Sequence, residues 1–359
     1  MICGSAMTAP TIALLAAAAM LMVIGAGFNL GKAQAAPGDG LASRPASAAA
    51  PAADTSRVQP SRPPDREIVY RKTPQGELKL YVYLPADWKK TDKRPTIVFF
   101  FGGGFVKGTA AQFYSKAEYL ASRGMVAFSA EYRVRDVHKT TIDKCVQDAR
   151  SAMRYVRKNA ADWGVAPDRI VSSGGSAGAH LAAAVAIMDG FDDAADDLTV
   201  SCRPAAMILF NPVFDFGAAA NMERLIPGWH DRFPGETPAE KQEMAAKLSP
   251  IEYVRKGCPP AIMFYGTNDS LLAQGRDFLR KSQAQGNQID LWTAWRMGHG
   301  FFNATPWHEA TLIKTDEFLS ALGYLEGPPT VKPPVVKVIL VRETAKPETQ
   351  TAPDRGIKK

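Results

Sequence analysis

A chain of 359 residues with 46% hydrophobic and 22% charged side chains can bury a large core. That balance belongs to a soluble globular protein and excludes a fibrous or wholly disordered one. The net charge is +7, but seven basic and three acidic residues lie between Gly327 and Lys359. The excess is therefore concentrated in a tail, and no aromatic-basic platform accompanies it, which speaks against a nucleic-acid partner.

Residues 1–35 stand apart from the rest. Thr11 to Phe28 is apolar and alanine-rich, and Ala33-Gln34-Ala35 follows it. The pattern reads in two ways. One is a cleaved signal peptide, giving a secreted or periplasmic protein. The other is an uncleaved N-terminal membrane anchor. Residues 36–65 are rich in Ala, Pro and Ser, too poor in large apolar groups to pack, and read as a disordered linker.

The expected folded domain covers 66–326. Leu78 to Leu84 alternates with period two, as a half-exposed antiparallel strand does. Pro95 to Phe101 is an apolar run of strand length ending at Gly102-Gly103-Gly104-Phe105. Met125 to Ala130 is a second buried strand, after a helix ending near Ser122. A helix over Asp148 to Arg157 precedes a third strand, Arg169 to Ser173. Gly174-Gly175-Ser176-Ala177-Gly178 then turns into a helix of small residues, His180 to Met188. Ala205 to Phe210 is another strand, followed by Asn211 to Asp215. Phe216 to Ser249 carries Met222, Leu225, Ile226, Trp229 and Phe233, then a helix near Pro238 to Leu248. It reads as a lid-like insertion over the site, or as an excursion with its own small hydrophobic cluster. Pro260 to Tyr265 opens into Gly266-Thr267-Asn268-Asp269, and Ile289 to Trp295 leads to Met297-Gly298-His299-Gly300. Alternating strands and helices imply an α/β fold with a mostly parallel sheet covered on both faces. Residues 327–359 form a Pro/Lys-rich tail, in which Val335 to Val341 is apolar enough to pair as an edge strand.

Chemistry enters at Gly174–Gly178. The pattern G-x-S-x-G makes a sharp strand-to-helix turn that lifts a serine hydroxyl off a sheet. The order Ser176, Asp269, His299 supplies a nucleophile, an acid and a base, each just beyond a predicted strand; Asp215 is a second candidate for the acid. Acyl transfer builds charge on a carbonyl oxygen and needs rigid N–H donors aimed at it. Gly103, Gly104 and Ala177 are the candidates. Phe105 and Trp229 are candidate substrate contacts. Cys202 and Cys258 each lie just before a predicted strand, and those strands should be neighbours, so a disulfide between them is expected, with two buried free thiols as the alternative. His138, His180, His230 and His308 show no metal-ligand spacing, so no metal is expected.

The motifs Phe101-Gly-Gly-Gly-Phe105, Gly174-Gly-Ser-Ala-Gly178, Gly266-Thr-Asn-Asp269 and Gly298-His-Gly300 carry a resemblance. With Ala130-Glu-Tyr-Arg133 in support, Glu67 to Leu325 resembles the α/β-hydrolase superfamily. More narrowly, it is similar to the esterase/lipase branch related to hormone-sensitive lipase and the bacterial carbohydrate esterases. The resemblance implies the α/β-hydrolase fold, a Ser–His–Asp mechanism through an acyl-enzyme, and no cofactor. It implies a carboxylic ester hydrolase acting on short-chain or carbohydrate esters, such as acetyl or feruloyl esters, and the N-terminal segment adds the expectation of export. One position departs from the pattern. The glycine run of the family usually follows a His that braces the loop, and Phe101 stands here. Apolar packing is the expected substitute, with Phe99, Phe100 and Phe105 nearby in sequence. Two other functions fit the same fold. A prolyl-oligopeptidase-like serine peptidase would require a propeller or long N-terminal β domain, and a catalytically silent binding protein would require a broken triad.

Overall fold

The computed structural model describes residues 57–217, 228–336 and 338–344. The leader expected at 1–35, most of the linker, the apolar residues Met222, Leu225 and Ile226, and the end of the tail lie outside the described residues. Among the described residues, no helix is long and apolar enough to cross a membrane.

The described strands form one nine-stranded sheet. Two antiparallel strands, β1 (Arg66–Thr73) and β2 (Gly76–Tyr83), open it. Leu78, Leu80 and Val82 of β2 are buried, as the alternation predicts. The sheet continues with β4 (Val126–Ala130), β3 (Arg94–Phe100), β5 (Val165–Gly175), β6 (Ala206–Phe210), β7 (Ala261–Gly266) and β8 (Ile289–Ala294). From β4 to β8 all pairings are parallel. Successive side chains of a strand point to opposite faces, so each central strand feeds two cores. Val98, Phe100, Met207, Leu209, Met263 and Tyr265 face one layer. Ile97, Phe99, Ile208, Phe210, Ile262 and Phe264 face the other.

Helices cover both faces. α3 (Ile142–Lys158), α4 (Ala177–Ile187) and α6 (Leu272–Ala284) contribute to the first layer, and α1 (Tyr114–Ser122) and α7 (Trp307–Ala321) to the second. Every residue of α4 is buried, which is why its sequence is small and apolar apart from His180. Two further helices, the short α2 (Arg135–His138) and α5 (Pro238–Lys247), lie in connections. Thr237 and Glu240 close a capping box on α5, the expected start signal for that helix.

The tail gives one difference. β9 (Leu340–Glu343) pairs antiparallel with β8 at the sheet edge, beyond the expected end of the fold at residue 326. It starts near the end of the apolar run at 335–341. Ion pairs with α6 and β8 set its place: Arg276 Nε lies 2.7 Å from Glu343 Oε2, and Arg342 pairs with Asp290.

The expected Cys202–Cys258 disulfide is not formed; both thiols are free. β6 and β7 are neighbours as expected, but the buried Cys202 sulfur turns toward the Val185 carbonyl of α4, 3.8 Å away. The backbone N–H of Cys258 donates to Asn287 Oδ1 at 3.1 Å.

Candidate active site

Parallel strands place functional groups beyond their C-terminal ends, and Ser176, Asp269 and His299 all sit there. Ser176 joins β5 to α4 with φ 54° and ψ −117°, a conformation that strains any residue with a Cβ. Two close approaches hold it. A Cβ on Gly178 would lie 2.0 Å from the Phe100 carbonyl oxygen, and one on Gly174 would lie 2.4 Å from the backbone of Gly178. The Ser176 N–H donates to the Phe210 carbonyl at 2.7 Å, fixing the turn to β6.

Asp269 follows β7, and its carboxylate is fully buried while the His299 side chain is 42% exposed. His299 Nδ1 lies 3.0 Å from Asp269 Oδ2, and Nε2 lies 2.8 Å from Ser176 Oγ. Since a carboxylate only accepts, Nδ1 carries the proton and Nε2 is left to accept from the serine hydroxyl. The structure thus brings together the three residues predicted from sequence, and the histidine meets Asp269, not Asp215. Asp269 Oδ1 also accepts the Leu271 N–H at 3.0 Å, and Asn211 Nδ2 donates to Oδ2.

Asn211 is a site residue that sequence reasoning passed over. It is buried, has φ 50°, and lies at the end of β6. Its signal is an Asn-Pro pair at the C-terminal end of a buried strand. His180 is a second such residue, one helical turn after Ser176 on α4. Its ring meets Phe105 and Phe216 at 5.4 and 4.7 Å between centroids. Burial pushes its pKa down to about 4, so it is neutral and donates from Nδ1 to the Val213 carbonyl at 3.1 Å.

The glycine loop after β3 approaches the elbow directly. A Cβ on Gly102 would lie 3.3 Å from Ser176 Cβ. Gly103 has φ 132°, and its carbonyl accepts from Val106 and Lys107 at 3.1 and 3.2 Å. A Cβ at Gly103 would fall 1.8 Å from the Lys107 carbonyl oxygen, so this turn requires glycine. Among the described residues, the N–H groups of Gly103, Gly104 and Ala177 donate to no protein acceptor. Ala177 is also the first residue of α4, where the helix end carries partial positive charge.

Phe101 is 2% exposed and stacks on Tyr132 at 4.1 Å between ring centroids. The Tyr132 hydroxyl donates to the Phe101 carbonyl at 2.7 Å. The expected apolar substitute for the family's histidine is present, but its partner is Tyr132 rather than the phenylalanines next in sequence. Phe99 faces the opposite layer and stacks on Phe113. Neighbouring residues of the Ala130–Arg133 segment anchor Tyr132. Glu131 accepts the Lys79 N–H at 3.0 Å, and Arg133 grips the buried Asp148 carboxylate through Nε and Nη2 at 2.8 and 2.9 Å.

Phe105 and Trp229 enter one aromatic cluster with Phe216 and Phe233, with centroids 5.3–6.0 Å apart along the chain of contacts. Phe105 has φ 63°, a strained position for a side chain of this size. From the middle of the insertion, Arg232 donates to the Gly104 carbonyl at 2.9 Å and lies over the Trp229 ring at 4.8 Å. Among the described residues no group of three or more His, Cys, Asp or Glu is placed to hold a metal ion.

Residues 80–280, more than half of the chain, match the BD-FAE family model. Similar relatives include a probable isoprenylcysteine alpha-carbonyl methylesterase of Arabidopsis thaliana, 27% identical over 216 residues, or 57% of this chain and 44% of that protein. Esterase LipQ of Mycobacterium tuberculosis is 28% identical over 207 residues, 53% of this chain and 47% of that protein. The chain thus spans about half the length of these relatives. The solved structure of Thermogutta terrifontis esterase 2 superposes with a TM-score of 0.67 at 40% identity, covering 74% of this chain and 95% of that one. On its sheet, its elbow and these matches, the chain belongs to the BD-FAE family, within the esterase/lipase branch of the α/β-hydrolase superfamily.

Proposed function

We propose that this chain is a serine carboxylic ester hydrolase working through an acyl-enzyme. The unbroken hydrogen-bond chain from Ser176 through His299 to Asp269 carries the assignment. Ser176 Oγ attacks the ester carbonyl while His299 Nε2 takes its proton. Asp269 holds the histidine tautomer and stabilises the imidazolium. The N–H groups of Gly103, Gly104 and Ala177 receive the developing oxyanion. The imidazolium then protonates the leaving alkoxide, and water clears the acyl group by the same route.

On the acyl side, the cluster of Phe105, Phe216, Trp229 and Phe233 supports a short apolar pocket. Thermogutta terrifontis esterase 2 has been solved with propionate and with butyrate bound, which favours short acyl groups here too. The alcohol we propose is a carbohydrate, as in acetylated or feruloylated polysaccharide, a reading that rests on the resemblance to carbohydrate esterases. Export is part of the same proposal, supported by the apolar stretch Thr11–Phe28 before Ala33-Gln34-Ala35. A mature protein beginning at Ala36 in the exported fraction is the expected outcome.

The test is a p-nitrophenyl ester series from acetate to decanoate on wild type and Ser176→Ala, with labelling by paraoxon. That reagent phosphorylates the Thermogutta esterase. Wild type should favour the shortest esters and carry the phosphoryl label on Ser176. A folded Ser176→Ala protein that keeps more than a few per cent of activity would remove Ser176 as the nucleophile.

A further inference from the structure

We propose that Gln112 is a positioning residue that locks the oxyanion loop to the loop carrying His299, with Asn303 as its relay. This rests on the reading of Ser176 and His299 as nucleophile and base.

Gln112 lies in the 3-10 turn Ala110–Phe113 that leads into α1. Its Oε1 accepts the Gly102 N–H at 2.6 Å, and its Nε2 donates to Asn303 Oδ1 at 3.0 Å. Asn303 Nδ2 in turn donates to the Gly300 carbonyl at 2.8 Å, and the Asn303 N–H donates to the same oxygen at 3.2 Å. Gly300 is the residue after His299.

The direction of this relay is fixed at both ends by backbone chemistry. A peptide N–H can meet only an acceptor, so Gln112 must turn its oxygen to Gly102. A peptide carbonyl can meet only a donor, so Asn303 must turn its NH₂ to Gly300. The one remaining pairing is Gln112 NH₂ to Asn303 oxygen, the pairing observed. Neither amide can flip without breaking a bond to backbone.

The consequence is geometric. Occupation of the Gly102 N–H orients the glycine loop and leaves the next two N–H groups, of Gly103 and Gly104, for an oxyanion. The relay's other end holds the residue next to the base. Oxyanion donors and general base come from segments almost two hundred residues apart, and one pair of side-chain amides sets their separation. A misplacement of about 1 Å between such groups costs about a hundredfold in rate.

The experiment compares wild type, Gln112→Leu, Gln112→Glu, Asn303→Ala and the Gln112→Leu/Asn303→Ala double variant. It reads kcat and KM for p-nitrophenyl acetate, the affinity of a trifluoromethyl ketone that forms a tetrahedral adduct, and melting temperature. Each single variant should lose about ten- to a hundredfold in kcat with KM within about twofold. Affinity for the tetrahedral adduct should fall by a similar factor. Because both side chains act through one relay, the double variant should lose no more than the worse single variant. Gln112→Glu keeps the shape and the acceptor for Gly102 but loses the donor to Asn303, so it carries the test if Gln112→Leu does not fold. Variants whose kcat stays near wild type, or whose losses multiply in the double variant, overturn the relay. Paraoxon labelling separates the two levels. A labelled Ser176 with unaffected Gln112 variants sinks the relay alone, whereas a wild type unlabelled at Ser176 sinks the catalytic reading and the relay with it.

Discussion

The nucleophile elbow and the oxyanion loop lie against each other and are held by different means. The elbow is held by backbone against backbone: Gly174, Gly178 and the Phe100 carbonyl of β3 approach so closely that no Cβ fits. The oxyanion loop keeps its own tight turn at Gly103 and is held in addition by side chains reaching in from elsewhere. Tyr132 grips the Phe101 carbonyl, Gln112 the Gly102 N–H and Arg232 the Gly104 carbonyl. Steric exclusion between packed backbones gives a rigid turn whose glycines are written in a five-residue motif. A loop braced by distant side chains can keep its course with a different residue at its first position, and here Phe101 is stacked on Tyr132.

The sharpest way to separate chemistry from bracing is Asp269→Asn. It removes a charge from the triad and leaves the elbow and the loop in place. Turnover should fall on the order of 10⁴-fold, as in serine proteases with the same triad, because Asn favours the wrong histidine tautomer. The melting temperature should move far less than the rate. Asp215→Asn, which does not reach His299, is the control. If Asp215→Asn did the greater damage, the acid would have to be reassigned.

Phe101→Ala tests the other side of the comparison. Truncating this stacked, buried ring should cost about 3 kcal/mol or more of stability, and turnover should fall with it as Gly103 and Gly104 loosen. Tyr132→Phe should keep the stack but orphan the Phe101 carbonyl, for about 1 kcal/mol. Denaturant melts and kcat on both variants decide this. Equal stability of Phe101→Ala and wild type would mean that the stack braces nothing.

A smaller effect comes from Lys116 beneath the histidine loop. Its ammonium is buried, donates to the Phe302 carbonyl at 3.2 Å, and lies over the Phe210 and Phe302 rings. Glu309 and His308 of α7 are its titratable neighbours. Burial pushes the Lys116 pKa down to about 7, with Glu309 opposing. The proton is held more weakly in the folded state than in the unfolded chain, where lysine titrates near its ordinary value. Between those two values the unfolded chain binds the extra proton, so stability rises with pH there. Below the folded pKa both states are charged and the burial cost is fully felt. Relative to Lys116→Met, wild type should therefore gain stability as pH rises from 7 to 10. Melting temperatures of both proteins across that range check the sign, and a constant gap would show that Lys116 does not titrate differently on folding.

The same physics sets how much of the molecule was legible in the sequence. The central strands declared themselves because burial on both faces demands continuous apolar runs, and β2 because burial on one face demands alternation. The elbow was legible because the residues that must be glycine flank the serine within five positions, although what they pack against includes the Phe100 carbonyl of β3. Ser176, Asp269 and His299 were found because each comes just after a recognisable strand, and a parallel sheet gathers the C-terminal ends of its strands along one edge. The insertion was visible as an apolar interruption, but its anchor on Gly104 through Arg232 was not.

The sequence by itself therefore determined the α/β architecture, the strained serine and the order of the three triad residues, since these depend on local sterics and on hydrophobic period. Only the tertiary structure decided what aligns them. Tyr132 meets Phe101 across 31 residues, Arg232 meets Gly104 across 128, and Gln112 meets Asn303 across 191. It likewise added Asn211 behind Asp269, turned the Cys202 sulfur away from a disulfide, and recruited Leu340–Glu343 as the edge strand. Such contacts satisfy individual polar groups and fill individual gaps, and which partner is within reach is fixed only once the sheet has brought distant segments together.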